Sequence, residues 1–250
     1  MLKKYPKKYI IDIRDYNKIA KFYNFSKVIE KSAHTVISSP GYTSWLPRGF
    51  AYTTNHNTKI DNLSGIYPSH SIDKNEVKIA SIGALRDLKI NIDLIKSAQD
   101  SLGIRLSFHG RGDINSELEK FAENSKTPID ITGFYLKEDE PDLYRSADLI
   151  NVLRYPDCIN NITALPNRLY LAPFLGKPLL SYPGTYLGEV VKKNNLGLVL
   201  NTFDSLIDQI NKFIDEFNQA EFDNARKLFL SEVIDENKKF KQLIEAFLRQ

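Results

Sequence analysis

Short apolar runs recur along the chain from residue 77 onward, and segments with the spacing of amphipathic helices separate them. Regular alternation of strand and helix predicts βα units, in which helices cover both faces of a parallel sheet. We therefore predict an α/β fold for this part of the chain. The predicted strands are Val77–Ser81, Ile104–Phe108, Ile129–Thr132, Asp148–Val152, Pro178–Ser181 and Leu198–Leu200.

The helices between these strands are predicted from apolar residues that recur three or four positions apart. One helix is expected to start at Glu140, and another covers Glu189–Lys192 and is closed by Leu196–Gly197. Beyond Asp204 the chain is predicted to become helical. The predicted apolar helix faces are Ile92, Leu94, Ile95 and Ala98 after the first strand, then Phe213, Ile214 and Phe217, and then Leu228, Phe229 and Val233.

The first part of the chain carries similar but sparser strand signals. Asp12, Arg14 and Asp15 lie at the carboxyl end of its first predicted strand, where parallel sheets gather ligands. These charges either face a cleft or form an ion pair and a helix cap, and the sequence leaves both alternatives open. The predicted strands here are Tyr9–Ile13, His34–Ser38 and Ala51–Thr54, and residues 58–76, rich in Asn, Asp, Ser, Gly and Pro, are predicted to be a linker.

Composition narrows the possible classes of protein. A length of 250 residues suits one large or two small domains, and a hydrophobic content of 42% supplies a sizeable core. The net charge of +3 is too small to indicate nucleic-acid binding. The single cysteine, Cys158, excludes an intrachain disulfide framework and fits a reducing compartment. The histidines share no metal-ligand spacing with one another or with Cys158, so we expect no metal site.

The segment Thr163–Pro178 contains the most specific pattern in the chain. Polar residues lead to Pro166 and Asn167, either of which suits the start of an apolar helix, and Gly176 is a natural helix stop. A loop that feeds a helix start presents free N–H groups and the positive end of the helix dipole. We therefore expect an anion such as a phosphate to bind there.

This segment resembles the "alPnKlyEymaaGkPvi" stretch of GT-B glycosyltransferases of the family-4-like group, which use nucleotide-sugar donors. In that family the loop and helix start lie against the donor diphosphate. Arg168 stands where Lys is usual, Leu171 stands where the family has a Glu that holds the donor ribose, and Thr163 occupies the position of the first Glu of the pair. The resemblance implies a donor site that lacks the usual paired acids.

The turn after the first strand of the second part resembles the family's "GRLxxxKG" motif. Its spacing runs from Gly83 to Lys89, and Ala84 replaces the usual Arg, so Arg86 is expected to supply the guanidinium. By this resemblance Arg86 and Lys89 are the candidate catalytic residues, with two cations on the donor diphosphate. The alternative is that both are ordinary loop cations.

The remaining candidate donor-binding residues follow other predicted strands. Phe134 and Tyr135 are either a wall beside the donor base, as the resemblance implies, or core and turn residues. Asn160 and Asn161 either contact sugar hydroxyls or form a turn. The candidate donor-binding residues are Gly83, His109, Gly110, Gly133, Phe134, Thr163, Ala164, Leu165, Asn167 and Arg168.

The resemblance also implies an architecture. A GT-B-like fold has two Rossmann-like parallel-sheet domains, and here the first is incomplete. The strand ends at Ser38–Pro40 and Asn55–Asn57 resemble those of its acceptor-side domain. We predict residues 1–70 as part of that domain, 71–225 as the nucleotide-sugar-binding domain and 226–250 as a helix that returns to the first.

The function implied is transfer of a sugar from a UDP-, GDP- or ADP-sugar to a bacterial polysaccharide or lipid-linked glycan, with retention of configuration and without metal or cofactor. The expected location is the cytoplasm, with peripheral contact at the inner face of the membrane, and a missing N-terminal segment or partner chain is expected. The alternatives are a non-catalytic or accessory GT-B-like subunit, which the missing Glu pair favours, and a sugar-nucleotide epimerase.

Overall fold

The computed structural model describes residues 5–18, 24–99, 101 and 103–249. Two parallel sheets form, one in each part of the chain, as the alternation of strands and helices predicts. The first part contains β1 (Ile10–Ile13), α1 (Phe25–Lys31), β2 (His34–Ile37) and β3 (Thr53–Thr54). The second part contains β4 (Val77–Ile82), α2 (Leu88–Ala98), β5 (Ile104–His109), α3 (Asn115–Glu123), β6 (Ile129–Gly133), α4 (Glu140–Arg145), β7 (Leu149–Asn151), α5 (Ile159–Thr163), α6 (Arg168–Phe174), β8 (Leu179–Ser181), α7 (Tyr186–Lys193), β9 (Gly197–Val199), α8 (Leu206–Glu216) and α9 (Gln219–Leu248).

The larger sheet has the strand order β6-β5-β4-β7-β8-β9, and every neighbouring pair is parallel. All of its predicted strands are confirmed, with ends that differ by at most one residue. The order reverses at β4, because the next two strands along the chain lie on one side of it and the last three lie on the other. Such a reversal opens a crevice at the carboxyl ends of the strands.

Helices cover both faces of this sheet, and β4 shows why. Ile79 faces one core with Leu94 and Ile95 of α2, whereas Ala80 faces the other core with Tyr170 of α6. A strand buried on both faces needs apolar residues at successive positions, and this accounts for the continuous apolar runs in the sequence.

Two predicted helix faces are wrong by a single residue. In α2 the buried residue is Ile90 rather than Ile92, because Ile90 and Leu94 are one helical turn apart. In α9 Phe229 and Val233 are buried, but Leu228 is 60% exposed. The expected helix end at Leu196–Gly197 is also wrong, since α7 ends at Lys193 and Gly197 begins β9.

The smaller sheet has the order β1-β2-β3 and is also parallel. It has its own core, formed by Ile13, Ile37, Tyr42 and Leu46. The two sheets together form the two-part α/β architecture that the sequence predicts, with a small first part.

The last helix, α9, connects the two parts. It begins at Gln219 and not at 226, where the terminal helix is predicted to start. The loop after β3 contacts it through His56, whose Nε2 lies 2.7 Å from Glu236 Oε2. His56 Nδ1 lies 2.8 Å from the Tyr170 hydroxyl of α6. The division into domains stays a prediction.

Within the described residues no helix is long and apolar enough to span a membrane.

Candidate functional site

Two adjoining cavities lie where the strands end. The first, the sheet-edge cavity, has a volume of about 520 Å³ and lies between the turns that leave β4 and β7, at the reversal of strand order. Ligands of open α/β sheets bind at such a position. Its lining residues are Asn57, Ser81, Ile82, Gly83, Ala84, Leu85, Arg86, Asp87, Asn91, Lys137, Glu140, Tyr144, Asn151, Leu153, Arg154, Asn167, Arg168 and Leu171.

The second cavity lies between the two sheets and has a volume of about 880 Å³; we call it the inter-sheet cavity. Arg14 and Asp15 line it at the end of β1, which matches the cleft alternative, and Arg14 also forms the ion pair of the other alternative. Asp12 instead pairs with Arg14, at 2.8 Å. The two cavities share Asn57, Arg86, Asp87, Arg154 and Asn167 as lining residues.

Buried amides fix the turn that carries Arg86 and Asp87. Asn91 of α2 donates its Nδ2 to the carbonyl oxygens of Arg86 and Asp87, at 2.8 and 3.1 Å. Asn151 of β7 in turn donates to Asn91 Oδ1 at 3.2 Å and to Ser81 at 2.7 Å. Asp87 has a φ of 59°, an uncommon left-handed conformation that the amides help to hold. This turn is therefore a rigid wall between the two cavities.

Glycines allow the neighbouring turns to pack against this wall. A Cβ on Gly110 would lie 1.8 Å from the Gly83 carbonyl oxygen, and one on Gly112 would lie 1.6 Å from the Leu85 carbonyl oxygen. Gly110 N–H also donates to the Gly133 carbonyl at 2.7 Å. The close approach that Gly110 permits is thus to backbone, not to a ligand.

The sheet-edge cavity is rich in arginine. Arg168 donates from Nη1 to the Asn151 carbonyl at 3.0 Å, and Arg154 has a buried Nε with no hydrogen-bond partner. Among the described residues, no carboxylate pairs with Arg86, Arg154 or Arg168. Burial lowers the pKa of both Arg154 and Arg168. Arginines without acidic partners form a site suited to an anion.

The acidic residues of the cavity offset this charge only in part: the charge of Asp87 acts to raise the pKa of Arg154 and of Arg168, but Asp87 forms no ion pair with either. Glu140 accepts from the Tyr135 hydroxyl at 3.1 Å and pairs with Lys137. Burial raises the pKa of Tyr135 to about 12, so its hydroxyl stays protonated and donates. Asp87 is exposed at the border of the cavities. Leu171 lies in the wall where the resemblance places a Glu, so the wall is apolar there.

The structure brings part of the predicted site together. Gly83, Arg86, Asn167 and Arg168 line the sheet-edge cavity, and Ala164 and Leu165 line the inter-sheet cavity. Asn167 occupies the N-cap position of α6 without a side-chain capping hydrogen bond, and Gly176, with a φ of 74°, follows the helix end, as predicted. No ligand contact has been observed for these residues, so their binding roles stay predictions.

Other predicted site residues line neither of these cavities. Lys89 is exposed, with Nζ 5.0 Å from the centroid of the Tyr155 ring. His109 lies 2.9 Å from the Thr132 hydroxyl, and burial lowers its pKa. Phe134 is 61% exposed beside Arg111. The predicted site residues that line neither cavity are Lys89, His109, Gly110, Gly133, Phe134 and Thr163.

Two of the predicted residues instead join the parts of the chain. The Thr163 carbonyl accepts from Ser39 Oγ at 2.5 Å. The Asn160 side chain accepts from Tyr16 N–H at 2.7 Å and donates to the Tyr16 carbonyl at 3.2 Å. Asn160 is thus held by the backbone of Tyr16, while Asn161 donates from Nδ2 to Asp157 at 3.0 Å.

Arg154 is the functional candidate that sequence reasoning missed. It follows β7 and belongs to no recognised motif, so the residue pattern alone does not distinguish it from other surface cations. The signal available was its position after a buried strand next to the reversal of strand order. Within the described part of the chain, no group of three or more His, Cys, Asp or Glu side chains could hold a metal ion.

No family model matches the sequence, and no curated protein matches it. Solved structures do match. HepE of Anabaena, in complex with UDP and glucose, is 14% identical with a TM-score of 0.72, over 95% of this chain and 71% of HepE. TarM of S. aureus, in complex with UDP among other ligands, is 11% identical with a TM-score of 0.66, over 93% of this chain and 47% of TarM.

A third match is WaaB, a lipopolysaccharide outer core galactosyltransferase without ligand. It is 14% identical with a TM-score of 0.63, over 90% of this chain and 65% of WaaB. At such identities the similarity is one of fold. The chain therefore has the GT-B fold of nucleotide-sugar glycosyltransferases.

Proposed function

We propose that this protein transfers a sugar from a nucleotide-sugar donor to a glycan acceptor. The observation that carries the proposal is the pair of adjoining cavities: one is lined by arginines without acidic partners, and the other is lined by polar groups from both sheets. A transferase needs a donor and an acceptor site that meet at the bond to be made. The shared lining residues are where the two sites meet.

The proposed donor is a UDP-sugar, with its diphosphate in the sheet-edge cavity. HepE and TarM, which share the fold, have been crystallised with UDP, and HepE also with UDP-glucose. The arginines supply charge-assisted hydrogen bonds to phosphate oxygens, which are stronger than neutral ones. Asn167 and Arg168, at the start of α6, line the same cavity.

The proposed reaction transfers charge to the diphosphate. The bond between the anomeric carbon and the diphosphate oxygen breaks, and the diphosphate takes the electron pair. The acceptor oxygen bonds to the anomeric carbon, and its proton passes to the diphosphate. Arg86 and Arg168 stabilise the negative charge that develops on the leaving group, in an environment arranged before the reaction. We propose that configuration is retained and that these cations take the place of a metal.

The proposed acceptor is a carbohydrate hydroxyl in the inter-sheet cavity. Arg14, Asp15, Ser38 and Asp157 line it with charged and hydroxyl groups, which suit a sugar better than a lipid chain. The acceptor is thus the glycan part of a bacterial polysaccharide or lipid-linked glycan. We also propose that the transfer takes place at the cytoplasmic face of a membrane.

Titration calorimetry with UDP, GDP and ADP tests the donor site. We expect the wild-type protein to bind at least one of these at micromolar to millimolar concentration, and to bind the matching nucleoside much more weakly, because the nucleoside offers no anion to the arginines. No heat with any of the three would contradict the proposal.

A second candidate is an accessory GT-B-like subunit that binds a nucleotide but transfers nothing. The observation that favours it is the apolar Leu171 at the position of the family's ribose-binding Glu. The two candidates differ in one assay, which is transfer of sugar from the bound nucleotide sugar to glycan acceptors. Binding without transfer to any glycan favours the accessory role.

A further inference from the structure

Arg154 differs from the other cations of the site in its position and in its partners. It lines both the sheet-edge and the inter-sheet cavity, at the end of β7. Its Nε is buried and has no hydrogen-bond partner, and no described carboxylate pairs with its guanidinium. Buried polar groups in proteins are nearly always bonded, so an orphan of this kind calls for an explanation.

Lys89, in contrast to Arg154, is exposed and lies outside both cavities. Its Nζ lies against the face of the Tyr155 ring, at 5.0 Å from the ring centroid. The resemblance of residues 83–89 to the family's motif implies that Lys89 binds the diphosphate, yet this cation already has an aromatic partner outside the cavity. A different residue is therefore better placed to supply the second charge.

We propose that Arg154, and not Lys89, binds the donor phosphate nearest to the transferred sugar. The inference rests on the proposed function, since it names a residue for the same donor site. The donor phosphate that is bonded to the sugar must lie where the donor and acceptor cavities meet. Arg154 and Arg86 are the cations that line both cavities at the end of a strand of the larger sheet, and of these two Arg154 is the one whose Nε is buried without a hydrogen-bond partner.

The chemistry at this position follows from the bond that breaks. When the anomeric carbon leaves, the oxygen it leaves behind on the β-phosphate gains negative charge. A planar guanidinium can donate two parallel hydrogen bonds to such a phosphate, which a lysine cannot do. Arg154 would touch the leaving group in both the bound and the reacting state.

The ligand-free protein holds this guanidinium at a cost. Burial, and after it the charge of Arg168, lowers the pKa of Arg154. Removing the charge while keeping the apolar stem should therefore stabilise the ligand-free protein, or at least not destabilise it. A residue kept only for structure would show the reverse.

The test is titration of UDP and UMP into four proteins: wild type, Arg154→Met, Lys89→Met and Arg105→Met. Arg105 is the matched control, because it lies at the start of β5 and pairs on the surface with Glu76 and Asp130. We expect Arg154→Met to weaken UDP binding by about ten- to a hundredfold. UMP lacks the β-phosphate, so its affinity should fall by less than about threefold.

Lys89→Met and Arg105→Met should change UDP affinity by less than about threefold, and Arg154→Lys should lie between wild type and Arg154→Met. The melting temperature of ligand-free Arg154→Met should equal that of wild type or exceed it by a few degrees. If the melting temperature of ligand-free Arg154→Met falls below that of wild type while Arg154→Lys keeps the UDP affinity of wild type, Arg154 has a structural role and the proposal is overturned.

Equal losses of UDP and UMP affinity in Arg154→Met would also overturn it, as would a larger loss in Lys89→Met. These outcomes leave the proposed function intact, since wild type still binds UDP. If wild type binds no nucleoside diphosphate at all, the proposed function fails and the role of Arg154 fails with it.

Discussion

At the scale of single residues, a buried arginine and a half-buried one show how partners separate structure from function. Arg226 of α9 is 1% exposed and fully bonded: it donates to the carbonyls of Pro173 and Tyr67, at 2.8 and 2.6 Å, and pairs with Asp223 at 2.6 Å. Arg154 has a buried Nε without a partner. The first arginine holds segments together, whereas the second lines both cavities and has no carboxylate partner among the described residues.

Removing one partner of the Arg226 pair should therefore cost stability. Asp223→Asn leaves a buried guanidinium with less compensation, and we expect a loss of about 3 kcal/mol, the lower end for a broken buried pair because Asp223 is partly exposed. Thermal unfolding followed by circular dichroism measures this.

The matched control for Asp223→Asn lies on the same helix. Asp235 pairs with Lys238 at the same spacing but on the surface, so Asp235→Asn should cost less than about 1 kcal/mol. Equal effects of the two substitutions would mean that burial of Arg226 carries no special cost.

At the scale of elements, the βα units were predictable and their turns were not. Apolar runs buried on both faces, such as β4, leave a clear pattern in sequence. Arg154 belongs to no motif, and Lys89 matches one but points outside the cavity, because spacing alone does not fix the direction of a side chain at a helix start. The close contact of Gly110 with Gly83 likewise forms between the turns of two neighbouring strands, so it cannot be predicted from the sequence of either segment alone.

That contact between turns gives a prediction for Gly110→Ala. The new Cβ would lie 1.8 Å from the Gly83 carbonyl oxygen, and φ is 135°, so backbone must move. Displacement of the turn that carries Arg86 should weaken UDP binding by more than about tenfold and lower the melting temperature. Titration calorimetry and thermal unfolding measure both effects.

Gly49→Ala separates the effect of the positive φ from the effect of the clash with backbone. Gly49 also has a positive φ, of 85°, but its Cβ would meet nothing within 4 Å. The free energy of unfolding of this variant should fall by only roughly 1 kcal/mol, the cost of an alanine in the left-handed conformation, and its UDP affinity should not change. If Gly110→Ala behaves like Gly49→Ala, the turns are not packed as described.

At the scale of the whole molecule, the function depends on two parts that meet around shared residues. Ser39 bonds Thr163, Tyr16 bonds Asn160, and His56 bonds Tyr170 and Glu236, so contacts on several sides hold the small sheet against the large one. These contacts join residues more than a hundred positions apart in the chain, and sequence gives no signal for them. They set the position of the inter-sheet cavity beside the sheet-edge cavity.

The most direct test of the central claim is a crystal structure of the protein with UDP. We predict the diphosphate in the sheet-edge cavity, with oxygens within 3.2 Å of the guanidinium groups of Arg86 and Arg154, a distance typical of such hydrogen bonds, and with the β-phosphate at the border of the inter-sheet cavity. A diphosphate bound instead on the outer face of α2 beside Lys89 and Tyr155, or beside His109 and Phe134, would contradict the account.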